Sequence, residues 1–333
     1  MYTYQSLIKE LSSGKVKSIY FLMGDEPYFI DQVSEFFENQ VIPVNLREFD
    51  QTIIYGKDTT IENIVNQAKR YPMIHKRQLI VVKEAQALSR SMEKLLDYLD
   101  SYMSSTILVF CYKNKTLDKR KLLYKKLIKN HVVFESKKIY ESNMSSWIKS
   151  YLKIQKKTIT EKACQLLIDY LGNDLHKVVN ELKKLNLINE NDLINDEIIE
   201  ANIGISKDFN NYELNRAISA MDKGKAYQII DYFTRNPKNH PVVLTIGSLY
   251  NFFSKLMIFH SCKNQDLNTI AQTVGINAYF VNEYKIASSN FSENDIIKIF
   301  KSLRIIDLKS KGVDSSINTR DLYSELIFRI FKL

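Results

Sequence analysis

Gly24-Asp25-Glu26-Pro27-Tyr28-Phe29 is the first stretch of this chain whose residue types and spacing could do chemistry. It follows the apolar run 18–23 and precedes a segment with helical spacing. A strand-loop-helix start of this kind is where an α/β protein cradles phosphate. The loop would need a glycine-rich turn ending Gly-Lys-Ser/Thr: amides grip the phosphates, the lysine neutralises charge and the hydroxyl binds magnesium. Here two carboxylates stand where phosphate charge would sit, Pro27 has no amide hydrogen, and the lysine is missing. Repulsion and missing donors both oppose a nucleotide, so no nucleotide site is expected.

The second stretch is Lys83-Glu84-Ala85-Gln86, after the apolar run 79–82. A magnesium-dependent triphosphatase would place an acidic pair there, one residue for the metal and one to polarise water. Only Glu84 is present, beside Lys83, and a lone glutamate at a strand end suits a structural or surface role. The histidines at 75, 131, 176, 240 and 260 do not cluster. His260 and Cys262 are two apart, and such positions point away from each other on a helix. No hydrolase or zinc-protease motif is found. Neither a catalytic residue, a metal nor a cofactor is expected.

Charge supplies a different lead. Residues 113–138 carry ten Lys/Arg against Asp118 and Glu135, a net +8 within a chain of net +9. Such a run suits a phosphate-facing surface, and more commonly it is a solvated helix face.

These candidates must be positioned by elements that the periodicity reveals. The 333 residues suffice for about two to three domains at ~100–200 residues each. Hydrophobic residues make up 45%, enough for sizeable cores, and only 5 Pro and 9 Gly argue against long linkers. The first ~140 residues alternate short apolar runs at 18–23, 78–82 and 106–111 with helical patterns at 28–41, 60–69, 91–101 and 119–129. Weaker strands are expected at Arg47-Glu48-Phe49 and Val132-Val133-Phe134. This pattern predicts a largely parallel sheet covered on both faces. From about residue 142 the strands are expected to stop. Thr160 reads as a helix cap, Gly172 as a stop, and a small helical domain ends near Lys207. Helical patterns follow at 241–262, after a Ser292–Asp295 capping box, and through Leu322, Leu326, Ile330 and Leu333. The N-terminus lacks a secretory pattern, the apolar runs are too short for a membrane span, and three scattered cysteines fit a reducing cytoplasm.

At this point an ordered set of motifs becomes recognisable. The stretch 19–28 (Ile-Tyr-Phe-Leu-Met-Gly-Asp-Glu-Pro-Tyr) resembles the start of the delta subunit of the bacterial DNA polymerase III clamp loader. Stretches 77–85 and 117–121, Gly172-Asn173-Asp174-Leu175 and Asn180-Glu181-Leu182 resemble the same family in order, along the whole chain. The resemblance implies an AAA+-like α/β domain at 1–140, a small helical lid at 141–208 and a helical collar at 209–333 that assembles a hetero-pentameric ring. It further implies a subunit of a DNA-directed DNA polymerase that does not hydrolyse ATP. Its partners would be a sliding clamp, which it binds and opens, the other loader subunits and primer-template DNA, with Lys115, Arg120 and Lys121 as candidates to touch that DNA or to face neighbouring subunits. The family's clamp-binding element falls at Tyr71-Pro72-Met73-Ile74, with Met73-Ile74 in place of the usual Leu-Phe. Met and Ile supply bulk and flexibility for a partner pocket, although the aromatic anchor is lost. Three alternatives are carried forward: that Met73 and Ile74 close the domain's own core, that the chain is a divergent ATPase, and that it is a basic nucleic-acid-binding module.

Overall fold

The computed structural model describes residues 2–188, 191–203, 206, 208–313 and 317–332, so Lys207 and Leu333 lie outside the described residues. The chain divides into two compact units, 1–139 and 140–333.

The first unit is a parallel sheet with helices on both faces. In chain order it comprises α1 (Tyr4–Ser12), β1 (Ile19–Gly24), α2 (Pro27–Gln40), α3 (Arg47–Asp50), β2 (Gln51–Tyr55), α4 (Ile61–Ala68), β3 (Gln78–Lys83), α5 (Leu96–Asp100), β4 (Thr106–Lys113), α6 (Leu122–Asn130) and β5 (Val132–Ser136). The sheet order is β2-β3-β4-β1-β5 with every pairing parallel. All six residues of β1 are buried because it is covered above and below. Ile19, Phe21 and Met23 join one core with α4, while Tyr20 and Leu22 join another with α1 and α2. That two-sided burial explains why its sequence is a continuous apolar run.

Two expectations in this unit are corrected. Arg47-Glu48-Phe49 is not a strand but part of the single turn of α3; the strand is β2, two residues beyond. It is the sheet's edge and is largely exposed, so it lacks the apolar signature of a buried strand. The helix expected at 91–101 is a 3-10 turn, Met92–Leu95, followed by α5.

The second unit is mostly helical: α7 (Glu141–Ile154), β6 (Thr158–Ile159), α8 (Glu161–Leu171), α9 (Leu175–Ile188), β7 (Leu193–Ile194), α10 (Asp196–Ile203), α11 (Asn211–Ser219), α12 (Lys223–Arg235), α13 (Val242–Cys262), α14 (Leu267–Val274), α15 (Val281–Asn290), α16 (Glu293–Ser310) and α17 (Thr319–Phe331). Strands do not stop after residue 142, since β6 and β7 pair in parallel over two residues each, too briefly for a periodicity signal. Thr160 caps α8 by accepting from the Ala163 amide, and Gly172 ends it at φ 68°. Ser292 and Asp295 form the capping box of α16. Helix α13 is long and apolar enough to cross a bilayer. Within this unit it serves as a core helix, burying Leu249, Phe253, Leu256 and Phe259 among helices that precede and follow it.

Candidate functional site

The loop after β1 is closed by its own hydrogen bonds. The Gly24 amide donates to the Lys115 carbonyl at 3.0 Å, and the Asp25 and Glu26 amides reach the Ser136 carbonyl at 3.0 and 3.5 Å. Pro27 has no amide hydrogen. The Tyr28 amide donates to Glu26 Oε1 at 3.2 Å, making Glu26 the cap of α2. In return Ser136 Oγ donates to the Glu26 carbonyl at 2.7 Å. Every amide from 24 to 28 is therefore engaged within the protein, and Glu26 is 4% exposed. The turn that would cradle phosphate instead seals the C-terminal end of β1 to that of β5.

Beside it, the C-terminal edge of the sheet carries a salt-bridge cluster. Glu84 follows β3 in a left-handed conformation, φ 52°. Lys113, the last residue of β4, places its ammonium 2.7 Å from Asp31 Oδ1 and 3.1 Å from Glu84 Oε1. The Gln86 side chain ties the two strand ends, accepting from the Lys113 amide at 3.0 Å and donating to Glu84. Lys83 pairs with Glu38 at 3.0 Å. Burial works against the Lys113 charge, but the two carboxylates outweigh it and its pKa is raised. Burial likewise opposes the Glu84 charge, and the Gln86 and Lys113 bonds overcome it, so its carboxyl lies below the ordinary value. Where a magnesium-binding carboxylate would stand, Glu84 is already matched by a lysine.

The stretch before β3 is different. Tyr71 is 78% exposed, Met73 75% and Ile74 58%, which removes the alternative that the pair closes the domain's core. Their backbone is nonetheless held. Asp50, at the end of α3 and buried, accepts from the amides of Met73, of Ile74 at 2.9 Å and of His75 at 2.6 Å. Burial tends to raise the Asp50 pKa, yet the three amides prevail and hold it below the usual carboxylate range. At the C-terminal side of the loop, the Arg77 guanidinium donates to the Val16 carbonyl at 2.7 Å and to Ser18 Oγ at 3.2 Å. Gln78 donates to the carbonyls of Gln67 and Arg70, gathering the N-terminal side of the loop. The apolar side chains thus project from a fixed backbone. Sequence reasoning located the loop but missed Asp50, whose contacts lie 23 to 25 residues away and leave no local signature.

Half of the basic segment's cations are paired in place. Arg120 makes two bonds to the Asp118 carboxylate, at 3.0 and 2.9 Å, and Lys121 meets Glu93 at 2.8 Å. Lys119 pairs with Glu135 and Lys126 with Asp100. Together with Lys113, five of the ten cations are in ion pairs. Lys115 is exposed and, among the described residues, is in no ion pair.

Comparison with known proteins finds similarity along nearly the whole chain. Residues 20–137 match the family model described as DNA polymerase III, delta subunit. Over 314 residues the chain is 22% identical to DNA polymerase III subunit delta of Bacillus subtilis (strain 168), covering 91% of this chain and 90% of that protein. The solved Bacillus subtilis DNA clamp loader delta protein superposes with a TM-score of 0.59 at 19% identity, covering 99% of this chain and 100% of that one. By class, then, this is a parallel-sheet α/β protein extended by helices, with the fold of that solved clamp-loader delta protein. Within that class it is similar, nearly end to end, to the delta subunit of bacterial DNA polymerase III, and the resemblance read from the sequence is borne out.

Proposed function

We propose that this chain is a DNA polymerase III clamp-loader component of the delta type, which binds a sliding clamp through Tyr71, Pro72, Met73 and Ile74 and opens it for loading on primed DNA. The observation that carries the reading is an exposed apolar loop at the expected clamp-binding position, on a backbone fixed by Asp50. An exposed Pro-led apolar pair between Arg70 and Lys76 fits a partner-contact site, as apolar patches rimmed by polar residues often do. Met73 and Ile74 would enter a pocket on the clamp and hold it in a geometry that disfavours a closed interface. Binding energy then shifts the clamp population toward the open ring.

In this reading the chain does not hydrolyse ATP. The engaged amides of 24–28 and the pairing of Glu84 with Lys113 support that part. ATP-driven control enters through neighbouring subunits of a hetero-pentameric ring in the cytoplasm, with primer-template DNA within the assembly. The second unit would serve as a lid at 141–208 and a collar at 209–333.

The experiment is binding of the purified chain to its organism's sliding clamp without nucleotide, comparing wild type with the Met73→Ala/Ile74→Ala double variant. Truncating a central anchor side chain typically costs about 2 kcal/mol or more, so the pair should lower affinity by roughly 1,000-fold. The thermal unfolding midpoint should not move, because neither side chain is in the core. A double variant that binds as tightly as wild type would overturn the reading.

A further inference from the structure

Asp50 is a buried carboxylate that accepts hydrogen bonds from three consecutive backbone amides of a distant loop, with no lysine or arginine in an ion pair with it among the described residues. Burying a carboxylate is costly unless hydrogen bonds compensate, and donors converging on a charged acceptor are among the stronger kind. That arrangement holds a segment whose side chains Tyr71, Met73 and Ile74 add nothing to the core. The covering of the domain interior therefore does not explain it.

We propose that Asp50 is the positioning residue of the clamp-binding loop: by gathering the amides of Met73, Ile74 and His75 on one side, it presents Met73 and Ile74 outward before the clamp arrives. The inference rests on the clamp-binding reading above. With three successive N–H groups turned inward to one acceptor, the loop loses much of its backbone freedom, and the exposed side chains follow the backbone that carries them. Without the carboxylate the amides would turn to water and the loop would sample many shapes. Only the competent fraction would bind, and the apparent dissociation constant would rise by the inverse of that fraction.

The test uses the full chain with Asp50→Asn, which preserves shape but turns an amide NH2 toward N–H donors. The expected result is clamp association slowed by about tenfold, with the dissociation rate changed by less than ~3-fold, because the cost falls on the free loop. Met73→Ala/Ile74→Ala should instead accelerate dissociation, since it removes contacts made in the complex. A residue that merely supported the fold would not produce that split. Amide hydrogen exchange supplies a second readout: 73–75 should be protected in wild type and about tenfold faster in Asp50→Asn, with the sheet strands unchanged. Wild-type association by Asp50→Asn, or unprotected 73–75 amides in wild type, overturns the proposal. Should Asp50→Asn not fold, the wild-type exchange pattern decides. If wild type itself does not bind the clamp, the clamp reading fails and the functional half of this inference with it. Protected 73–75 amides would then still identify Asp50 as the loop's anchor, so the two failures are distinguishable.

Discussion

The backbone of Gly24 passes so close to Ser136 that a Cβ on Gly24 would stand 1.9 Å from the Ser136 carbonyl oxygen. Gly24 also has φ 135°, a conformation that other residues rarely adopt. In this protein the glycine permits strand-end closure, whereas in a phosphate-binding loop the same residue type admits a ligand. Gly24→Ala should therefore destabilise the first unit by ~2–5 kcal/mol, from overpacking plus backbone strain. The check is a lower urea midpoint at unchanged slope. A wild-type midpoint would mean that the closure is loose enough to open. For the same reason, titration of the wild-type chain with magnesium-ATP should give no binding heat. A magnesium-dependent isotherm would restore the divergent ATPase alternative.

The second prediction concerns the lysine that matches two carboxylates. Lys113 is 16% exposed, Asp31 27% and Glu84 41%. Lys113→Met leaves both carboxylates without that cation and should cost ~1–3 kcal/mol near neutral pH, toward the low end because Glu84 is well hydrated. The pH dependence follows from the shifts. Glu84 has a lowered pKa, so its contribution is present above the ordinary carboxylate value and lost as pH falls through the lowered one. Lys113 has a raised pKa, so its contribution is present below the ordinary lysine value and lost as pH rises through the raised one. The gap between wild type and variant should be widest between ~4.3 and ~10.4 and narrow outside that window. A gap that does not vary with pH would show that the methionine acts through packing alone.

How much of this was legible in the sequence depends on the range over which each signal acts. Strands β1, β3 and β4 were visible because burial on both faces makes them continuous apolar runs. Strand β2 was not, because an edge strand with Thr52, Ile53 and Tyr55 exposed has no such run. The caps Thr160 and Ser292 were legible because the bond closes within three residues. Asp50 was not, since its amides come from another segment of the chain. The departure of the 24–29 loop from a Gly-Lys-Ser/Thr pattern was read from Pro27, the two carboxylates and the missing lysine. The engagement of its remaining amides with Lys115 and Ser136 required three dimensions. Charge counting overstated the basic segment for a similar reason: Glu93 and Asp100, which neutralise Lys121 and Lys126, lie outside it.

That pairing ranks the three candidate contacts, to primer-template DNA or to a neighbouring subunit, and gives the last prediction. Arg120 and Lys121 would have to leave Asp118 and Glu93, or share them, before meeting phosphate, whereas Lys115 is exposed and in no ion pair among the described residues. Fully exposed ion pairs are weak because water screens them, so the difference is one of degree. Each phosphate contact removed lowers the slope of log affinity against log salt by about 0.7–0.9. In the assembled loader, Lys115→Ala should lower the slope by about that amount, and Arg120→Ala and Lys121→Ala by less. Equal decreases for all three would mean that the pairs open on DNA at negligible cost. An unchanged slope for all three would assign the segment to a solvated face, leaving phosphate contact to other residues or other subunits.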